Sequence, residues 1–156
     1  MNIFIDNISQ VRRFYLLAAF AFIIPLMLIF LRDLLGISMP IFRILIAVMV
    51  IAIVGIFIIM KPAYIRYEND GKVLRLHFYN LMPFPFGRAV GKLIEIRKDE
   101  FRDYQLNSYN YGLCKLLILL VHERFMLLPY PPVSVSLLNE KQLALLVSSL
   151  ESWKNS

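Results

Sequence analysis

Two uninterrupted apolar runs, close together near the N-terminus, constrain this chain more than any other feature. Phe14 to Leu31 (FYLLAAFAFIIPLMLIFL) holds eighteen residues without a charge, and Ile44 to Met60 holds seventeen. Eighteen helical residues at 1.5 Å each cover about 27 Å, close to the hydrocarbon thickness of a bilayer. The second run is rich in Ile and Val, which disfavour helix in water. In lipid, however, the backbone must satisfy its own hydrogen bonds, and the helix does so. Two spans are expected, joined through Arg32-Asp33 to Pro40 as an antiparallel hairpin over residues 14–60. Pro25 removes a backbone hydrogen bond and is expected to kink the first span. Arg43, at the start of the second, can carry its charge to the interface. A cleaved signal peptide is not expected, because no short apolar stretch ends in a small-residue cleavage site and a second span follows.

Charges flank the hairpin unevenly. Arg12 and Arg13 precede it and Lys61 and Arg66 follow it, against Arg32 and Arg43, offset by Asp33, in and around the connection. This excess places both termini in the cytoplasm. Cys114 is the only cysteine, which precludes an intrachain disulfide and fits a reducing compartment. Neither span carries an acid, a histidine or a lysine, so no ion or proton pathway is expected within one copy. Ala18, Ala19, Ala21, Ala47, Ala52 and Gly55 are small enough to let helices approach closely in lipid. Of these, Ala18, Ala47 and Gly55 are candidate contacts for a partner. Ahead of the first span, Met1, Phe4, Ile5, Ile8 and Val11 recur at helical spacing, so residues 1–13 read as a candidate interfacial helix, with a frayed terminus as the alternative.

The chain has 156 residues, 59% of them hydrophobic, with a mean hydropathy of +0.65, room for one modest domain beside the anchor. From Lys61 onward lie 13 of the 17 basic residues and nine of the 11 acids. That surplus suits a domain facing anionic lipid, where each basic residue at the surface contributes roughly 1 kcal/mol. Arg12, Arg13, Lys61, Lys72, Arg75, Arg88 and Lys92 are the candidate anionic-lipid contacts. No basic helix or interleaved aromatic motif points to nucleic acid, and none is expected as a partner.

Residues 61–156 read as strands closed by a helix. Ala63 to Glu68 and Lys72 to Tyr79 alternate apolar and polar positions around Asn69-Asp70-Gly71, a hairpin signal. Leu74, Leu76 and Phe78 are the inward set of the second strand. Asn80 to Gly91 carries Leu81, Met82, Phe84 and Phe86 among prolines and glycines; Met82, Phe84 and Phe86 are candidate membrane or partner contacts, the alternative being that the segment packs on the domain and covers the open end of a sheet. Strands are expected over Lys92–Arg97, Asp103–Ser108 and Lys115–His122. The run LLILLV in the last of these is too short to span a bilayer and fits a strand buried on both faces. Phe125–Leu128 and Val133–Leu137 are shorter candidates around Pro129, Pro131 and Pro132. A final helix opens at Asn139 with Gln142 three residues on, a capping-box spacing. Its stripe of Leu143, Leu146, Val147, Leu150 and Trp153 is expected to cover the sheet.

Five to seven antiparallel strands followed by a C-terminal amphipathic helix, ending LPYPPVSVSLLNEKQLALLVSSLESW, resemble the pleckstrin-homology-like fold. With the preceding hairpin, the chain resembles small bacterial membrane proteins that carry such a domain. The resemblance implies a membrane α-helical hairpin plus an α+β domain, a partly open antiparallel barrel, in a bacterial inner membrane. Phosphoinositide-binding members place several basic residues around the first hairpin. This sequence departs there: Asn69-Asp70-Gly71-Lys72 is tight and contains an acid, leaving Lys72 and Arg75 nearby.

Chemistry-bearing residues are sparse. His77 and His122 stand in predicted strands outside any metal-ligand spacing. Glu95, Asp99, Glu100 and Asp103 are interleaved with Arg97, Lys98 and Arg102, the pattern of a solvated face. Neither a phosphate-cradling glycine loop nor a nucleophile–base pairing can be read from the spacing. No enzymatic activity, cofactor or metal is expected. The sequence reading is a non-catalytic membrane-anchored interaction module, an accessory or scaffold subunit of a membrane protein complex, with self-association left open. The alternative is a peripheral sensor of anionic headgroups.

Overall fold

The computed structural model describes residues 3–36, 38–81, 91–123 and 126–155. Met82, Phe84, Phe86 and Arg88 lie outside them, and with them the apolar segment expected to contact a membrane or partner.

Both apolar runs are helical and extend beyond their uncharged cores: α1 spans Ile8–Leu35 and α2 spans Met39–Met60. Each is long and apolar enough to cross a membrane. The link between them is shorter than Arg32 to Pro40, because α1 continues to Leu35. Gly36 follows at φ 63°, a left-handed position that glycine adopts without a Cβ penalty at a helix end. α1 runs through Pro25 without ending there. The less exposed residues of α1 are Phe14, Ala18, Ala21, Pro25 and Leu28; on α2 they are Phe42, Ile46, Met49, Ile53 and Phe57. Steps of three and four are the seam of two packed helices. Phe14 meets Phe57 edge-on at 5.0 Å between ring centres.

The domain is α+β, with two four-stranded antiparallel sheets among the described residues and no closed barrel. The first sheet has the order β1-β2-β3-β4, from β1 (Ile3–Asp6), β2 (Ala63–Asn69), β3 (Val73–Asn80) and β4 (Lys92–Arg97). The second joins β5 (Phe101–Tyr109), β6 (Cys114–Glu123) and β7 (Met126–Pro129), while β8 (Val133–Ser134) also pairs with β6. α3 spans Glu140–Lys154.

β1 corrects the reading of residues 1–13 as an interfacial helix. Ile3–Asp6 is a strand, in register with β2 from Ile3↔Asn69 to Asp6↔Arg66, and the helix begins only at Ile8. The spacing of Phe4 and Ile5 serves a strand equally well: Ile5 enters the core and Phe4 stays outside. Pairing also covers an edge of β2 that would otherwise present open backbone groups. β1 is the one described strand that the sequence did not indicate.

The core lies between the two sheets and under α3. Ile65, Leu74, Leu76, Ile96, Leu117, Leu119, Leu146 and Leu150 are its most buried members. Asn139 caps α3 in the expected box: its side chain accepts from Gln142 N (2.8 Å), and Gln142 Oε1 accepts from Asn139 N (3.3 Å). Trp153 packs edge-on against Phe101 at 5.9 Å. Tyr67, Asn69 and Ser149 make a buried polar contact that fixes α3 on β2. Ser149 Oγ accepts from Asn69 Nδ2 at 2.8 Å and shares a hydrogen with the Tyr67 hydroxyl at 2.7 Å. Burial raises the Tyr67 phenol above its ordinary pKa.

The expectation for β6 is corrected in one respect. Leu117, Leu119 and Val121 are buried, but Leu116, Ile118 and Leu120 are only half-buried. One face meets the core; the other has only partial cover from the described residues.

Candidate functional site

The hairpin helices and the domain meet at a built joint. Asn7, between β1 and α1, is fully buried. It donates from Nδ2 to the Ala63 carbonyl (3.0 Å) and accepts at Oδ1 from Ile65 N–H (2.8 Å), mimicking a strand partner for β2. Asp6 Oδ1 accepts from Ile8 N–H at 2.8 Å and satisfies one of the open donors at the start of α1. Gln142 adds a second task to its capping role, donating to the Asp6 carbonyl (2.9 Å) and accepting from Gln10 Nε2 (2.9 Å). Beneath these bonds Val11, Tyr64 and Leu81 form a small separate core with Phe14, Tyr79 and Leu137. The Tyr64 hydroxyl donates to Asp6 (3.2 Å); burial, then the Asp6 charge, raises its pKa. In the sequence, Asn7 and Gln10 are simply polar positions among apolar ones. The Asp6-Asn7 pair before an apolar run was the available signal, since both residue types favour helix starts.

The joint fixes which end of the domain lies beside the hairpin. β2 starts there, β3 ends there, and Leu81 N–H donates to the Pro62 carbonyl at 2.8 Å. β6 starts there too: Val54, Phe57 and Ile58 of the last turns of α2, and Lys61 just after it, share a recess of about 440 Å³ with Leu116 and Ser134. From this recess the half-buried side chains Leu116, Ile118 and Leu120 run up the outer face of β6. Leu127 of β7, opposite His122, stands 53% exposed beside the far end of that line.

The candidate small residues divide between two environments. Ala18 lies on the helix–helix seam, whereas Ala47 faces outward and Gly55 is half-exposed. A Cβ built on Gly55 would meet nothing within 4 Å. Of each helix's most apolar window, only 6% (first) and 11% (second) is buried within the chain, far from the mostly buried state of a soluble core helix.

The candidate lipid contacts do not form one patch. Arg12, Arg13 and Lys61 are exposed at the hairpin end, and Lys92, paired with Phe78, is exposed near it. Lys72 lies in the β2–β3 turn, the length of β2 away, about 20 Å at 3.3 Å per residue. Arg75 is engaged by Glu95 at 3.2 Å. At that far end Lys72 joins Arg97, Lys98, Arg102 and Lys154 around an open depression of about 720 Å³. Its charge is answered only in part. Lys154 binds Asp103 at 2.8 Å, which lowers the Asp103 pKa, and Asp99 lines the same depression. Asp70 is held below the usual carboxylate range by the N–H groups of Val73 and Lys72.

Among the described residues no three of His, Cys, Asp and Glu gather as metal ligands, and Cys114 is buried. Comparison with protein-family models, curated proteins and solved structures gives no match to this chain.

Proposed function

We propose that this chain is a non-catalytic membrane-anchored interaction module, an accessory or scaffold subunit of a larger membrane protein complex. One observation carries the reading: the apolar line Leu116-Ile118-Leu120 on the outer face of β6. A strand of composition LLILLV belongs where both faces are covered, and the described residues fully cover one. A protein partner seated against the hairpin and the lower part of this sheet completes the burial. Ala47 and Gly55 on the outward surface of α2 give such a partner room for close approach in lipid. The joint at Asn7 supports the same reading, because it holds the sheet at a set height and angle to the bilayer.

In this proposal the helices span a bacterial inner membrane with both termini cytoplasmic, as the flanking charges favour. The domain takes a pleckstrin-homology-like role as a partly open sheet structure closed by α3. The headgroup-sensor alternative draws less support, since Lys72 and Arg75 are remote from Lys61 and Arg75 is ion-paired.

Mild-detergent pull-down with mass spectrometry tests the proposal. Ile118→Asp is expected to abolish co-purification of a specific membrane protein while leaving the domain protease-resistant. Replacing the hairpin with an unrelated two-helix anchor is expected to weaken that co-purification. If both variants keep every co-purifying protein, the chain is not such a subunit. Impermeant thiol labelling of Ser38→Cys, but not Asp99→Cys, from outside the cell is the expected orientation result.

A further inference from the structure

The β5–β6 hairpin turn has an unusual surface. Tyr109, Tyr111 and Leu113 are exposed, Tyr111 completely, and the turn between the strands is Asn110-Tyr111-Gly112. All three turn residues have left-handed backbones, with φ of 53°, 56° and 89°. Glycine accepts that conformation freely, but a tyrosine there is uncommon. The strain is not offset by packing of the Tyr111 side chain against the described residues. An aromatic held outward on a strained turn points to contact with something beyond the chain.

The position of the turn identifies that contact. β5 ends and β6 begins at the end of the sheet beside α2, where Leu116 and Ser134 share a recess with Val54, Phe57, Ile58 and Lys61. Val54 lies about 10 Å along the helix from Lys61, at 1.5 Å per residue. Leu116 therefore stands level with the last two turns of a helix apolar enough to span a bilayer. The turn residues Asn110–Gly112 lie four to six positions before Leu116, on the hairpin side of the sheet. The opposite end of the domain carries Lys72, Lys98, Asp99 and Lys154 instead. Tyrosine has an apolar ring and a polar tip, which suits the boundary between acyl chains and headgroups. Lys115 at the base of the turn, with Lys61 and Lys92 at the same end, gives that surface a cationic rim for anionic headgroups.

We infer that the Tyr109–Leu113 turn is a third membrane contact, seated in the headgroup–acyl boundary of the leaflet that α1 and α2 enter. The inference rests on the hairpin spanning the membrane. Together with the two helices, the turn gives the domain three points of support, so that it cannot rock about the hairpin. The bound chemistry is a lipid interface and not a single headgroup.

The test uses the full chain, with Cys114 replaced by Ala, in vesicles of phosphatidylcholine and phosphatidylglycerol. Nitroxide labels are placed singly at Tyr111→Cys, Leu17→Cys in α1 and Asp99→Cys at the far end. Power saturation then compares collision with oxygen, which enters lipid, and with a water-soluble nickel chelate. The oxygen-to-nickel ratio at position 111 is expected to approach that at 17 and to exceed that at 99 several-fold. A ratio at 111 equal to that at 99, with 17 in lipid, overturns the inference alone. An aqueous ratio at 17 removes the spanning hairpin and the inference with it. Trp153 emission reports whether each variant keeps its fold. If labelling at 111 disturbs it, Leu113→Cys is read against the same two references.

Discussion

The two faces of β6 carry nearly the same residues and meet different fates. Leu117, Leu119 and Val121 are enclosed by β5, the first sheet and α3, whereas Leu116, Ile118 and Leu120 on the same strand are half-covered. Across on β5 the difference is already visible. Leu106 and Tyr104 stand opposite Leu117 and Leu119, while Asn107, Gln105 and Asp103 stand opposite Leu116, Ile118 and Leu120. The inner face is apolar on both strands; the outer face is apolar on β6 alone. An outer face built only for water would alternate to polar residues on every strand. β6 instead keeps leucine and isoleucine where its neighbour has turned polar, and this asymmetry favours an outside partner.

The most forceful way to break this comparison is a buried charge. Leu119→Asp places a carboxylate in the core at a cost of several kcal/mol, comparable to the whole stability of a small domain. The domain is expected to unfold, as it is for Leu146→Asp under α3, while the hairpin stays inserted. Ile118→Asp, one residue along the strand, is expected to leave unfolding nearly unchanged. Urea titration in detergent, followed by the emission of the single tryptophan Trp153, measures all three. Equal destabilisation by the Leu119 and Ile118 variants would mean that the outer face is already fully covered.

A smaller effect sharpens the contrast between the core and the joint. Gln142→Ala removes half of the capping box and the bonds to Gln10 and the Asp6 carbonyl, a loss of about 1–2 kcal/mol for one cap and its neighbours. Amide exchange is expected to quicken at β1 and the start of α1 more than in β6. Uniform exchange across these segments would show that the joint and core open as one unit.

The weakest effects come from protons. The Tyr67 phenol, raised by burial, is neutral in the folded state. Its contribution is fully present below the ordinary tyrosine pKa of 10.0 and is lost as pH rises through the higher folded value. Alkaline unfolding beginning above that point is expected, with Tyr67→Phe less sensitive to pH. The Asp103 carboxyl has the opposite sign. Its pKa is lowered by the Lys154 hydrogen bond, so its contribution is present above the ordinary 3.8 and fades as pH falls through the folded value. Because the Asp103–Lys154 pair is partly exposed, Asp103→Asn is expected to change acid stability least of all these variants.

Features carried by local pattern were legible in the sequence. Charge-free runs of seventeen and eighteen residues determine two membrane-length helices, because lipid leaves the backbone few alternatives. The Asn69-Asp70-Gly71 turn, with Gly71 at φ 87°, and the Asn139–Gln142 cap depend on residues within a few positions of one another. The inward set of β3, Leu74, Leu76 and Phe78, followed from a period of two. What the tertiary structure alone decided lies at larger separations. Pairing of Ile3–Asp6 with β2 joins residues sixty or more positions apart, and four apolar or polar residues at a terminus suit strand and helix equally until a partner edge is available. Asn7 and Gln142 became clamps because two helix ends and a strand start converge on them. The scatter of Lys61, Lys72, Arg75 and Lys92 over the two ends of the domain was likewise invisible in a charge count, which carries no distance. Sequence set the period of each element; the pairing of distant elements set which of its faces is covered.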